Sequence, residues 1–184
     1  MASADWGQEI YSAPAGPQII PQLEEVTYQT TLEDANLVGN IYFANYPIWQ
    51  GRVRDQFFHT LAPHFYNGGR HHGELFCVES SVNHLREAMP FDQVVVRMSL
   101  KTLYAGGLEL WFDYYRKNKQ EQLEKLATGI HKCLWVKHDH NGKIEPAAMP
   151  LSLRRRMYGK SSHALPWRHQ RFGYGGDADL SQNP

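Results

Sequence analysis

The run TLEDANLVGNIYFANYPIWQGRVRDQF, residues 31–57, mixes two kinds of chemistry. Its second half reads as a helix, with Trp49, Val53 and Phe57 spaced at i, i+4 and i+8 on one apolar face. Pro47 limits where that helix starts, because proline is tolerated only in the first turn. The spacing therefore predicts a helix from about Ala44–Tyr46 to Leu61. Arg54 lies next to the apolar stripe, where it can reach an internal cleft, and Arg52 points away from it. The first half, Asn36 to Phe43, leads into the helix N-terminus. Free N–H groups and the helix dipole favour a developing negative charge there. Gly39 permits a positive φ or a close backbone approach.

Outward from this segment, the chain reads as one domain. Val26–Glu33 alternates and is expected to be a strand; the stretches 75–85, 93–104, 108–117 and 125–139 follow as four more. Asn141-Gly142 marks a turn, and PLSLRRRMYG (150–159) reads as a short helix. One strand, one long helix and then consecutive strands predict an α+β architecture, with an antiparallel sheet curled around a single helix. The expected divisions are an irregular leader over 1–22, the domain over 23–159 and a flexible tail over 160–184.

Composition narrows the function classes. The 184 residues carry 19 basic and 19 acidic side chains, which argues against an obligate nucleic-acid partner. The N-terminus lacks the pattern of a signal peptide, and no apolar run is long enough to span a bilayer, so no membrane partner and a cytoplasmic location are expected. Cys77 and Cys133 then read as buried free thiols. The ten histidines lack the spacing of zinc ligands, so neither a metal nor any other cofactor is expected. No GxSxG elbow suggests a serine triad, and GYGGDADL lacks the Lys-Ser/Thr of a phosphate loop.

The run from Asp34 through Asn36, Gly39, Asn40, Tyr42, Tyr46 and Trp49 to Arg54 resembles the signature of hotdog-fold thioesterases. It is most similar to the stand-alone thioesterases of enediyne polyketide pathways, and VESSVNHLREAMPFDQVVVRMSL (78–100) resembles their second strand pair. The likeness covers roughly residues 24–158. It implies hydrolysis of an acyl, polyketide-type thioester carried by an acyl carrier protein or coenzyme A, in partnership with a polyketide synthase. Many hotdog enzymes place an acidic residue three positions before the motif glycine. Here that position is Asn36, which has no useful basicity, so the resemblance implies a hydrolase without the usual carboxylate.

By the same match, Asn36 and Arg54 are the catalytic residues, with Tyr46 contributing a hydrogen bond. Gly39, Asn40, Tyr42 and Trp49 are the expected substrate-binding positions, and Tyr42, Tyr46 and Trp49 are expected to line an apolar tunnel. Pro47 and Val53 depart from the family pattern, where an aliphatic residue and a cysteine are usual. On the residues alone, Asn36 can equally cap a turn, Arg54 can form a surface ion pair, and Glu33, Asp34 and Glu79 are the alternative carboxylates. Other uses of the fold are an acyltransfer or decarboxylase domain, or a non-catalytic acyl-binding domain of a polyketide assembly line. Dehydratase chemistry is disfavoured, because Asp34-Ala-Asn36-Leu-Val-Gly lacks the proline and histidine of hydratases. The long alternating LELWFDYYRK (108–117) is expected to mediate a homodimer or homotetramer.

Overall fold

The computed structural model describes residues 22–63 and 73–160. The leader, the C-terminal tail and most of the Gly/His-rich loop therefore lie outside the described residues. The elements are β1 (Gln22–Gln29), α1 (Asn45–Leu61), β2 (Glu74–His84), β3 (Gln93–Leu103), β4 (Gly107–Lys117), β5 (Leu123–His138), β6 (Ile144–Pro146) and α2 (Leu151–Lys160). All strand pairs are antiparallel, in the order β1-β3-β4-β5-β2, and β6 extends the end of β5. This is the α+β arrangement expected, a sheet packed against one long helix.

The helix begins where Pro47 allows. Ala44 is its N-cap, Pro47 sits in its first turn, and Trp49, Val53 and Phe57 are all buried. Each such side chain contributes about 1.5–3 kcal/mol on burial, which outweighs the indifferent helix propensity of Val and Phe. At the far end, Arg156 of α2 donates from Nη1 to the Leu61 carbonyl at 2.7 Å, satisfying one of the last helix acceptors. Among the described residues no helix is long and apolar enough to cross a membrane.

Three expectations need correction. The strand expected over Val26–Glu33 ends at Gln29, and Leu32–Asp34 forms a 3-10 turn instead. The Asp34 carboxylate causes this by accepting from the Thr31 N–H at 2.8 Å and the Thr31 hydroxyl at 3.1 Å. The segment 108–117 does not offer a free edge, because β4 is paired on one side to β3 and on the other to β5. The sheet ends in two edge strands: β1, which pairs only with β3, and β2, which pairs only with β5 and leaves Phe76 and Val78 about half exposed. Cys133 is buried and free as expected, but Cys77 is exposed, since it lies on that edge strand.

A polar device sits inside the interface of helix and sheet. Gln50 is wholly buried, donates from Nε2 to the Ser81 carbonyl at 3.2 Å, and accepts from the Ser80 hydroxyl at 3.1 Å. Gly129 makes room for it, since a Cβ there would stand 1.9 Å from the Gln50 amide nitrogen. The Tyr114 hydroxyl donates to the Tyr46 carbonyl at 2.9 Å, tying the central strand to the first helical turn.

Candidate functional site

The segment before α1 folds back on itself. Ala35 and Ile41 form an isolated antiparallel bridge, the Asn36 N–H donates to the Asn40 carbonyl at 2.9 Å, and the Gly39 N–H to the Asn36 carbonyl at 3.0 Å. Gly39 has φ of +91°, a conformation that side chains disfavour. The Val38 N–H donates to Asn36 Oδ1 at 2.9 Å. That bond settles the amide's orientation, because only the oxygen can face a donor. Asn36 therefore does cap a turn, and in doing so it leaves its Nδ2 hydrogens available to something else.

The loop opens onto a depression of about 720 Å3, lined by Leu32, Ala35, Asn36, Leu37, Val38, Gly39, Tyr42 and Pro90. Most of these surfaces are apolar, and Leu37 and Val38 are fully or largely exposed. Tyr42 is 45% exposed here and its ring meets Phe43 at 4.6 Å. At the helix entrance, the Asn45 and Tyr46 N–H groups are already bonded to the Tyr42 and Phe43 carbonyls, at 3.0 and 3.3 Å. Pro47 has no N–H to offer. Among the described residues no hydrogen bond is made by the N–H groups of Phe43 and Ala44, and these are the donors left at the helix entrance. The sequence pointed to the helix N-terminus as a whole; only the backbone geometry singles out these two.

Tyr46 and Trp49 stand apart from the depression. Both are buried, at 2% and 3% exposure, in a cluster where Tyr46 touches Trp49, His84 and Tyr114, and Trp49 stacks on Tyr28 at 5.5 Å. Burial pushes the Tyr46 phenol up to about 12, so it stays protonated. Asn40 donates from Nδ2 to Glu87 at 2.8 Å, which ties the loop to the segment after β2. Its Oδ1 is buried without a partner among the described residues. Of the alternative carboxylates, Asp34 is engaged by Thr31, Glu79 pairs with Lys132 at 2.6 Å, and Glu33 is exposed on the 3-10 turn.

Arg54 lies elsewhere in the same chain. It is nine residues past the start of α1, about 14 Å along the axis at 1.5 Å per residue. Its Nε and Nη2 donate to Asp55 Oδ1 at 3.0 and 2.8 Å, and its side chain is only 18% exposed. Burial works against the charge and Asp55 more than offsets it, so the guanidinium stays ionised. Around it stand Cys77 of β2 and His131 and Cys133 of β5. Burial and then the Arg54 charge push the His131 imidazole down to about 4. The chain thus brings Asn36, Gly39 and Tyr42 together and leaves Arg54 in a separate cluster of thiols and histidine. Sequence reading missed that cluster, although the i+2 spacing of His131 and Cys133 already placed both on one face of a strand.

Residues 30–157 match the model of the thioesterase-like superfamily. A crystal structure of the dynemicin thioesterase, from a study of polyene binding, is similar at 30% identity with a TM-score of 0.68, over 78% of this chain and 99% of that one. A 4-hydroxybenzoyl-CoA thioesterase variant complexed with 4-hydroxybenzoyl-CoA is 11% identical, with a TM-score of 0.65, over 72% of this chain and 96% of that one. The Staphylococcus aureus protein SAV2348, in complex with CoA, is 18% identical with a TM-score of 0.65, over 87% and 100%. At these low identities the last two share the fold and no more. No curated protein sequence matches the chain.

Proposed function

The chain belongs to the thioesterase-like superfamily, and from that premise we propose that it hydrolyses an acyl thioester of polyketide type, carried by an acyl carrier protein or coenzyme A. The observation that carries this reading is the Asn36 loop. Its amide oxygen is spent on Val38, while its Nδ2 hydrogens and the Phe43 and Ala44 N–H groups remain to receive negative charge beside an apolar depression. In the proposed reaction, water adds to the thioester carbonyl and gives up one proton to solvent. The oxyanion is held by these donors, and the C–S bond then breaks to release a carboxylate and a thiol. No carboxylate base is used; catalysis rests on holding charge. Tyr46, buried and protonated, packs against Trp49, His84 and Tyr114 at the start of the helix. The likeness to the dynemicin thioesterase supports a long, unsaturated acyl group.

Arg54 joins the site, in this reading, from a second copy of the chain. The His84 end of β2 lies beside Tyr46 at the start of α1, and Cys77 lies beside Arg54. Pairing two β2 edges antiparallel reverses one copy against the other. The helix entrance of one copy then faces Arg54 of the partner subunit. The exposed edge, with half-exposed Phe76 and Val78, favours this homodimer; a homotetramer needs a further surface.

The test is release of free thiol from acyl-CoA and acyl-carrier thioesters of increasing length. Turnover should rise from acetyl to long unsaturated chains. Tight binding of long acyl thioesters with no thiol released would replace hydrolysis by an acyl-binding role, and a flat length profile would reject the depression as the acyl site.

A further inference from the structure

The Arg54 cluster holds two thiols that the proposed hydrolysis does not use. Cys77 of β2 and Cys133 of β5 are directly opposed in the antiparallel pair, and both are free. Opposed residues put their side chains on the same face with Cβ atoms about 4.5–5.5 Å apart. A disulfide needs Cα atoms within about 4.4–6.8 Å, a span that antiparallel partners already meet. A register shift follows Cys77 at once, so the edge strand has local slack where the two sulfurs would close. The two thiols differ in access, since Cys77 is exposed and Cys133 is fully buried.

We propose that Cys77 and Cys133 form a reversible dithiol–disulfide site, oxidised by a low-molecular-weight disulfide, with Cys77 as the attacked residue and Cys133 as the resolving one. The Cys77 thiolate attacks one sulfur of the small disulfide, forming a mixed disulfide and expelling one thiolate. Cys133 then loses its proton to solvent and attacks the Cys77 sulfur, closing the cross-strand bond and expelling the second thiolate. The small disulfide is reduced to two thiols, and the protein loses two hydrogens.

The surroundings suit that order. A hydrogen bond from Cys133, then the Arg54 charge against the cost of burial, holds the Cys77 thiol well below its ordinary range. The same contact, with burial, pushes Cys133 up. The groups that face this pair are Arg54 and its partner Asp55 from α1 and neutral His131 from β5; the Glu79 carboxylate of β2 pairs with Lys132 on the opposite face of the sheet. The Cys77 Sγ also meets the Glu79 carbonyl at 3.4 Å. Dimer pairing along β2 would use that strand's backbone edge, whereas the thiols project from its face, so this inference does not depend on the hydrolytic reading.

Full-length protein incubated with oxidised glutathione should lose the mass of two hydrogens and give a proteolytic peptide joining residues 77 and 133, both reversed by dithiothreitol. Cys133→Ala should stop at one glutathione on Cys77, and Cys77→Ser should take up none. Alkylation of Cys77 should follow a pH profile with its midpoint below the ordinary thiol value of about 8.5, shifted up in Arg54→Ala. Wild-type protein that keeps both thiols, or stops at the glutathione adduct, or links Cys77 between two copies, would overturn the proposal. Should Cys133→Ala fail to fold, the wild-type digest alone decides, by the presence or absence of the 77–133 peptide.

Discussion

Replacing Asn36 by Asp separates the two duties of that side chain. An aspartate oxygen can accept from the Val38 N–H as Asn36 Oδ1 does at 2.9 Å, so the loop keeps its shape. What changes is the free end, where an amide donor becomes a carboxylate. Losing one oxyanion donor costs about 10²–10³-fold in rate, or about 3–4 kcal/mol. Against that loss, the new carboxylate can act as a general base, which the amide cannot. Thiol release measured from pH 3 to 9 should therefore show a rate limb near pH 4–5 in Asn36→Asp and none in the wild type. Asn36→Ala loses the donor and the turn bond together. It should lower the rate by the same 10²–10³-fold and the melting temperature by about 2–4 °C, the effect of about 1 kcal/mol in a chain of this size. Combined with Arg54→Ala, the losses should be far from additive, because in the proposed reaction both groups serve one transition state. Full activity in Asn36→Ala would refute the assignment, and Glu33, Asp34 and Glu79 would be next to mutate.

Other expectations concern assembly and stability. Refolding an equal mixture of Asn36→Ala and Arg54→Ala chains should recover roughly a quarter of wild-type turnover if the proposed dimer forms, since half the dimers would be mixed and each would have one intact site of two; no recovery would place both groups in one chain's site. Gly107→Ala should lower the melting temperature by several degrees or prevent folding, because a Cβ would stand 2.4 Å from the Cys133 carbonyl oxygen, which is backbone and cannot turn aside. His131 is held neutral in the fold down to about pH 4, while the unfolded chain binds that proton near 6.5. Its contribution is thus complete above pH 6.5 and is lost as pH falls toward 4, by about 3 kcal/mol at the low end. His131→Leu should flatten the melting temperature over that window, and an unchanged slope would show that another group drives acid unfolding.

Much of the fold was legible because its signals are local. Pro47 marked the helix start, the Trp49, Val53 and Phe57 stripe marked its buried face, and the four later strands were found within a residue or two of their ends. The first strand was misplaced because the alternation of Val26–Glu33 continues through residues whose side chains compete for the backbone. Thr31 and Asp34 look like strand positions by period, yet their mutual hydrogen bonds turn the chain. The sheet order was not legible. Nothing in the aromatic alternation of 108–117 distinguishes a central strand from an edge, and it is the neighbours β3 and β5 that make β4 central.

The site was harder to read for a related reason. A motif that carries Asn36 and Arg54 within 19 residues invites a picture in which the two meet. A helix does not allow it, because the nine residues from Asn45 to Arg54 carry the guanidinium toward Cys77 and Cys133 while Asn36 stays at the entrance. Closeness in sequence here places the two side chains at two levels along one rigid rod. In the proposed dimer the same rod, placed antiparallel to a second copy across the β2 edge, would set each level against the other. In that proposed dimer the motif's spacing would measure the reach between two chains, which periodicity within one chain cannot express. The proposed dimer would also account for a neutral Asn36. With a guanidinium arriving from the partner, as proposed, the charge developing on the oxyanion would already be countered, and a carboxylate at residue 36 would compete for that cation.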